Sequence, residues 1–184
     1  MKFCSSCGDP VAWRMPPGDS RHRFVCDGCS TIHYQNPRIV TGCLVTWQDR
    51  VLLCKRAIEP RRGYWTLPAG YLENGESAEA GAVRETWEEA AARVEVDDLY
   101  TLFSLPHISQ VYMFFRGRLT APEFAAGEES LAVDLFHEDD IPWDELAFPV
   151  VRDTLRHYFE DRKRQTFPVR HQSLVVNRPP AGRS

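Results

Sequence analysis

The chain has 184 residues, which is enough for one medium-sized domain and one small module. Its hydrophobic fraction of 43% and charged fraction of 26% are ordinary for a globular protein, and no run approaches the roughly 18 apolar residues of a membrane-spanning helix. The net charge of −4 argues against broad electrostatic binding of nucleic acid, but a nucleotide substrate is compatible with it because a bound cation can neutralise phosphates.

The first 36 residues contain two C-x-x-C pairs and no secretory signal. No apolar stretch follows Lys2, so we expect a cytoplasmic protein whose cysteines stay reduced. The two pairs, which 18 residues separate, are Cys4, Cys7, Cys26 and Cys29. This spacing is typical of a closed structural Zn²⁺ site and predicts a zinc ribbon over residues 1–36. Two disulfides or a redox pair are the alternative, and the nearby His33 would be a surplus ligand that packs or forms a hydrogen bond.

Strand-like and helix-like patterns alternate between residues 37 and 160, which predicts an α/β or α+β sandwich. The predicted strands are 39–47, 50–55, 64–67, 99–105, 110–119 and 132–137, with Gln48 and Asp49 as the turn between the first two. The clearest helix is 77–92, capped by Ser77, and a second is 143–161, where Pro149 either kinks the helix or opens its main part. Residues 161–184 are polar and basic, and we predict a C-terminal tail that is partly disordered, from about residue 177 on.

The helix predicted at 77–92 gathers three carboxylates on one face. At about 100° per residue, Glu85, Glu88 and Glu89 fall within about 100° of one another. Such like charges repel unless a cation or an arginine offsets them. Oxygen ligands of this kind suit Mg²⁺ or Mn²⁺, which could bind diphosphate oxygens and activate a water molecule. The alternative is a solvated acidic face. On the other side of the helix, Val83, Trp87 and Ala90 are expected to pack into the core.

These residues carry a resemblance to the Nudix box, the signature of the Nudix hydrolase family. Its conserved pattern is matched by six residues of this chain: Gly70, Glu76, Arg84, Glu85, Glu88 and Glu89. Two positions depart from it, because Thr86 replaces an aliphatic residue and Ala91 replaces the closing glycine. Alanine tolerates a left-handed backbone poorly, so Ala91 puts the backbone turn at the helix end in doubt.

The resemblance implies a Nudix α/β/α sandwich with a mixed sheet, preceded by the small four-cysteine zinc ribbon. It implies that Glu85 and Glu89 are the main cation ligands, that Glu88 is a third or outer ligand, and that the carbonyl of Ala69 also faces a cation. It further implies that Arg84 and Glu76 pair beside Gly70 in an architectural role. A homodimer is implied by the resemblance alone, and we expect no membrane and no stable nucleic acid partner.

The zinc ribbon before the box narrows the expected substrate. Residues 104–112 lack the array that NADH pyrophosphatases carry, whereas residues 32–37, 65–71 and 129–131 resemble the FAD/ADP-ribose pyrophosphatase group. The resemblance implies metal-dependent hydrolysis of the diphosphate of a nucleotide such as FAD or ADP-ribose, which releases AMP with FMN or ribose 5-phosphate. The alternatives are an NADH, dinucleoside polyphosphate or RNA-cap pyrophosphatase, or a catalytically silent Nudix nucleotide sensor.

Two further residues are candidates outside the box. Glu129, in the acidic loop 127–130, could bind a cation or act as general base on the attacking water, unless that loop is merely solvated. Arg56 lies where relatives contact a substrate phosphate, and a surface arginine at a strand end is the alternative. Three aromatic residues could stack on a base but are expected in the core: Trp65, Tyr71 and Phe114.

Overall fold

The computed structural model describes residues 1–175, and the chain divides into two units, Met1–Pro37 and the part from Arg38 onward. The first unit contains a three-stranded antiparallel sheet of β1 (Val11–Arg14), β2 (Arg23–Cys26) and β3 (Ile32–His33). Its buried hydrophobic residues are Cys4, Val25 and Cys26. Because two of these three are cysteines, this unit has little apolar core and depends on its cysteine cluster for stability.

Up to residue 175, the second unit is built on an eight-stranded mixed sheet flanked by two helices. Its strands are β4 (Arg38–Trp47), β5 (Arg50–Arg56), β6 (Trp65–Thr66), β7 (Ala69–Tyr71), β8 (Val94–Leu105), β9 (Gln110–Leu119), β10 (Ser130–Phe136) and β11 (Arg170–Ser173). The helices are α1 (Ala78–Ala90) and α2 (Pro149–Arg164), and three short 3₁₀ turns lie at Pro106–Ile108, Glu138–Asp140 and Trp143–Glu145. The strand order is β10-β5-β4-β9-β8-β11, with β6 paired to β5 and β7 to β4. The pairs β4–β9 and β8–β11 are parallel, which makes the sheet mixed.

The two helices cover opposite faces of this sheet. The six successive residues 40–45 of β4 are all buried, because both faces of the strand are covered there. Cys43 and Val45 pack with Ala82 and Ala90 of α1. Leu44, on the other face, belongs to the larger cluster that contains Leu155 of α2, along with Phe114 and Tyr100. The predicted α/β/α sandwich with a mixed sheet is confirmed.

Local sequence signals fix several element boundaries. Gln48 lies in the predicted turn that joins β4 to β5, where it adopts a positive φ of 55°. The Ser77 hydroxyl accepts a hydrogen bond from the Ala80 N–H at 3.1 Å, and so caps α1. Pro149 stands in the first turn of α2 and opens the helix rather than kinking it.

The expectation for the apolar face of α1 is correct for Ala90 and wrong for two larger residues. Val83 is 36% exposed and Trp87 is 51% exposed. The buried face carries Gly81, Ala82, Thr86, Glu89 and Ala90 instead. Small side chains let the helix lie close to the sheet, and they bury Glu89. Trp87 lies about 200° from Glu89 around the helix, so burial of the carboxylate turns the indole outward.

The C-terminal part of the chain departs from the predicted tail. Helix α2 continues to Arg164, and β11 adds a parallel strand to β8, so residues 161–173 form part of the second unit. An ion pair anchors this segment: Arg170 donates two hydrogen bonds to Asp161, whose side chain is 2% exposed. These bonds hold the pKa of Asp161 below its usual range. The predicted disorder from residue 177 lies outside the described residues. No helix within residues 1–175 is long and apolar enough to cross a membrane.

Candidate active site and metal centre

The four cysteines of the first unit come together in space. Their sulfur atoms all lie within 4.8 Å of one another. The closest pairs, Cys7–Cys26 at 3.4 Å and Cys4–Cys29 at 3.7 Å, are too far apart for disulfides. The Ser6 N–H donates to the Cys4 sulfur at 3.4 Å, a contact that favours the thiolate form of Cys4. His33 places Nε2 3.3 Å from the Cys4 sulfur, in the predicted hydrogen-bonding role. Four convergent sulfur donors fit a closed tetrahedral Zn²⁺ site.

The guanidinium of Arg84 lies at the centre of the carboxylates of the second unit. It donates two hydrogen bonds to Glu76, at 2.7 and 3.1 Å, and one to the Tyr71 carbonyl at 3.1 Å. Its Nη1 donates to Glu85 at 2.7 Å and to Glu88 at 3.0 Å. The pairing lowers the pKa of Glu76 to about 2. Arg84 thus holds the loop before α1 against the helix and offsets the repulsion between the carboxylates.

Glu89 stands apart from this arginine and is the most buried carboxylate of the box. It is 6% exposed, and Oε2 accepts a hydrogen bond from the Ala69 N–H at 3.3 Å. The pKa of Glu89 is raised to about 8, chiefly by burial; the Ala69 amide and Arg56 oppose the rise, whereas the nearby Glu85 and Glu129 add to it. Burial also raises the pKa of Glu85 in spite of its contact with Arg84. A cation would stabilise a buried carboxylate in this environment, because its positive charge would offset the loss of hydration.

Two glycines allow the backbone to approach these carboxylates. A side chain at Gly70 would overlap the Glu85 carboxylate, so the box glycine provides the space that this carboxylate occupies. A side chain at Gly127 would overlap the Glu88 carbonyl, and the Gly127 N–H donates to the Glu89 carbonyl at 3.0 Å. Gly127 therefore docks the acidic loop 127–130 on the end of α1. The sequence pattern predicts no role for Gly127, and the position of this glycine just before Glu128 and Glu129 is the one signal of its importance.

Ala91 adopts the left-handed turn that the box normally assigns to glycine. Its φ is 46° and its ψ is 30°, and its N–H donates to the Trp87 carbonyl at 2.8 Å. The replacement of glycine therefore leaves the end of α1 intact, at a cost of about 1 kcal/mol in backbone energy.

The carboxylates open into a large cavity of the second unit, with a volume of about 1660 Å³. Every predicted catalytic residue and cation ligand lines it: Ala69, Glu85, Glu88, Glu89 and Glu129. In the part of the chain that the structure describes, their oxygens do not converge as the cysteine sulfurs do. Arg84 holds the carboxylates of Glu85 and Glu88 by hydrogen bonds. The role of the Ala69 carbonyl as a cation ligand stays a prediction.

Arg56 also lines this cavity. Its Nε donates to the Pro60 carbonyl at 3.0 Å, and its guanidinium carbon lies 5.2 Å from the centroid of the Phe148 ring. Among residues 1–175 its two terminal nitrogens form no further hydrogen bond, so they could bind a phosphate. This geometry is compatible with the predicted substrate contact.

The three candidate aromatic residues have different environments. Phe114 is buried in the core and reaches the cavity, and Trp65 packs against the core with Phe136 at 4.8 Å. Tyr71 is 49% exposed, so its expected place in the core is wrong. It ends the short strand β7 and lines the cavity, and its hydroxyl accepts a hydrogen bond from Gln110 at 3.0 Å.

Two family models match this chain in succession. The model described as Nudix N-terminal, a zinc ribbon, covers residues 2–35. The model described as the NUDIX domain covers residues 36–158, which is most of the second unit. The change from one model to the next falls close to the division between the two units.

Similar proteins of known name point to the same family. A crystal structure of a NUDIX hydrolase from Nitrosomonas europaea superposes with a TM-score of 0.90 and 53% identity, and the match covers 95% of this chain and all of that one. The NAD-capped RNA hydrolase NudC of Salmonella paratyphi C is 29% identical over 144 residues, which cover 77% of this chain and 53% of that protein. An ADP-ribose pyrophosphatase of Methanocaldococcus jannaschii is 26% identical over 132 residues, covering 67% and 76% respectively. This chain therefore spans about half the length of the NudC relative.

Proposed function

Since this chain belongs to the Nudix family, we propose that it is a metal-dependent hydrolase of nucleotide diphosphates. FAD and ADP-ribose are the proposed substrates, with AMP as one product and FMN or ribose 5-phosphate as the other. The observation that carries the proposal is Glu89, a buried carboxylate whose pKa is raised to about 8 at the edge of a large cavity. Perturbed groups of this kind are typical of catalytic sites.

The proposed ligands of a catalytic Mg²⁺ or Mn²⁺ are Glu85 and Glu89, with Glu88 and the Ala69 carbonyl as further oxygen donors. The chemistry that such a cation supplies is neutralisation of diphosphate oxygens and acidification of water. For Glu89 to bind it at neutral pH, its carboxyl group must release a proton, because its pKa is raised to about 8. The chain's own contribution at this step is a carboxylate in a nearly dry site, where its attraction for positive charge is strong.

The remaining polar groups have proposed roles in binding and proton transfer. Glu129, on the loop that Gly127 docks against α1, is the proposed general base that accepts a proton from the attacking water. The terminal nitrogens of Arg56 are proposed to bind a non-bridging phosphate oxygen. Arg84 and Glu76 keep the loop and helix in register. Structural Zn²⁺ in the cysteine cluster and a homodimer complete the proposal.

A second substrate class is NADH or an NAD-capped RNA end. Similarity to NudC over 144 residues, which cover 77% of this chain, favours it, and it uses the same diphosphate chemistry. A silent nucleotide sensor is disfavoured, because Glu85, Glu88 and Glu89 are all retained and two of them have raised pKa values caused by burial.

The test is a product analysis with FAD, ADP-ribose, NADH and an NAD-capped RNA, each with Mg²⁺ or Mn²⁺. We expect AMP and FMN from FAD, and AMP and ribose 5-phosphate from ADP-ribose. Glu89→Gln should lower kcat by orders of magnitude, whereas Glu79→Gln, an exposed residue of the same helix, should leave it unchanged. The proposal would be overturned if no substrate were cleaved, or if Glu89→Gln turned over at the normal rate.

A further inference from the structure

Part of the cavity lining differs in character from the carboxylates, and the C-terminal segment contributes to the lining. Besides the acidic residues, the cavity lining includes apolar groups from β8, β9 and the start of α2, such as Leu105, Tyr112 and Phe148. The segment Gln172–Val175 completes this lining. The function proposed above gives these four residues no task.

The strand register places this segment on the cavity side of the sheet. Val40 pairs with Tyr112, Tyr112 with Phe103, and Phe103 with Gln172. Paired residues of neighbouring strands point to the same face, so Gln172 lies on the face that carries Val40 and Tyr112. Leu174, two residues further, lies on that face too, and it packs against the main core cluster.

Contacts with other parts of the second unit hold the segment Gln172–Val175 in this place, and the sequence of the segment does not predict them. The Leu174 N–H donates to the Ser104 carbonyl at 2.9 Å and extends the pairing with β8. Upstream, Asp161 accepts hydrogen bonds from Tyr100 at 2.7 Å and from Arg170 at 2.9 Å. Between these anchors, the Phe167 ring packs against Tyr158 and lies 3.9 Å from the guanidinium carbon of Arg116. A segment tied at three points can form a fixed wall of a binding site.

We infer that Gln172 and Leu174 form a specificity wall that binds the ring-bearing half of the substrate, while the carboxylate end holds the diphosphate. This inference rests on the proposed function. The isobutyl group of Leu174 lines the cavity together with Tyr112 and Leu105 and offers an apolar surface to a flat ring. The Gln172 amide offers a donor and an acceptor to the edge of the ring. The ligand class is a nucleotide diphosphate whose purine, nicotinamide or flavin ring lies against this wall.

The wall predicts a change in KM without a change in kcat. Leu174→Ala removes apolar contact with the ring but touches none of the carboxylates, so KM for FAD and ADP-ribose should rise roughly 5- to 20-fold. We expect kcat to stay within about twofold, because uniform binding is lost and not stabilisation of the transition state. Gln172→Ala should raise KM in the same direction by a smaller factor.

Two further variants separate binding from folding. Leu174→Met keeps the apolar volume, so its KM and its melting temperature should both match those of the wild type. Val169→Ala makes a similar truncation at a residue that is 57% exposed and outside the cavity lining, and it should leave KM unchanged.

The possible results distinguish failure of the specificity wall from failure of the proposed hydrolase function. A raised KM in Leu174→Ala, with rescue by methionine, supports the wall. An unchanged KM in Leu174→Ala, even with a lowered melting temperature, means that the residue is only structural and overturns the inference while the hydrolase stands. If the wild-type protein cleaves no member of the substrate panel, the proposed function fails and the inference fails with it.

Discussion

Substitution of Glu89 by glutamine should stabilise the protein at high pH when Mg²⁺ and Mn²⁺ are absent. The folded protein raises the pKa of this carboxyl group from 4.5 to about 8, chiefly by burial, so the folded state binds its proton more tightly than the unfolded chain does. The contribution of Glu89 to stability is therefore fully present below pH 4.5, and it is lost as the pH rises through about 8. Glutamine has nearly the same shape and no charge to desolvate.

The size of the effect follows from the shift. At about 1.4 kcal/mol for each pH unit between the two pKa values, ionisation of Glu89 lowers the free energy of unfolding by at most about 5 kcal/mol at pH 9. For a domain of this size, about 2–4 °C in melting temperature accompanies each kcal/mol. We therefore expect Glu89→Gln to melt on the order of 10 °C above the wild type at pH 9, and close to it at pH 5.

Thermal unfolding between pH 5 and pH 9, followed by circular dichroism in buffer without added Mg²⁺ or Mn²⁺, measures this difference. Other titrating groups cancel because they are common to both proteins, and Glu79→Gln on the same helix serves as the control. Addition of Mg²⁺ should raise the melting temperature of the wild type more than that of Glu89→Gln, which lacks one of the proposed ligands, so that the gap narrows or reverses. A gap that did not depend on pH would refute the reasoning, because the charge on Glu89 would then have no energetic consequence.

Three other changes test separate parts of the structure. Arg84→Gln should lower the free energy of unfolding by about 1–3 kcal/mol in urea titrations, since three carboxylates lose their shared partner. Arg84→Lys should lose less of this stability than Arg84→Gln, but it should not match the wild type because lysine cannot form the two parallel hydrogen bonds to Glu76. Gly127→Ala should lower kcat by ~10- to 100-fold in steady-state assays with little change in far-UV circular dichroism, because a methyl group forces the acidic loop off α1; wild-type kcat would count against the docking role of the glycine. Cys26→Ser should abolish zinc binding, measured by metal analysis, and make residues 1–37 sensitive to limited proteolysis, because that unit has little apolar core; a protease-resistant, zinc-free unit would contradict this dependence.

The sequence predicted those features that local chemistry determines. Ser77 caps α1 because its hydroxyl reaches the nearby Ala80 N–H, and the spacing of the cysteines suffices to bring four sulfurs together. The carboxylate face follows from helical geometry, and the box motif supplies the pairing of Arg84 with Glu76. Each of these features depends on residues that are close in the chain, or on a motif that is specific to one kind of structure.

The features that the sequence did not predict depend on contacts between distant residues. Trp87 faces outward because Glu89 is buried against the Ala69 backbone, and nothing in the apolar pattern of the helix indicates which side is turned inward. Strand β11 has no alternation of apolar residues, and it forms because Arg170 pairs with Asp161 and because β8 offers an unpaired edge. Gly127 acquires its role only when its loop meets the end of α1.

The partial coverage of β8 by β11 also bears on aggregation. The covered residues Thr101–Ser104 carry no charge, whereas the uncovered half of β8 carries Glu95, Asp97 and Asp98. Charged side chains discourage a sheet edge from adding a strand of another molecule, and an uncharged edge invites it. Detachment of β11 would therefore open the neutral half of this edge to a strand of another molecule, so the ion pair that anchors β11 also protects the protein from edge-to-edge association.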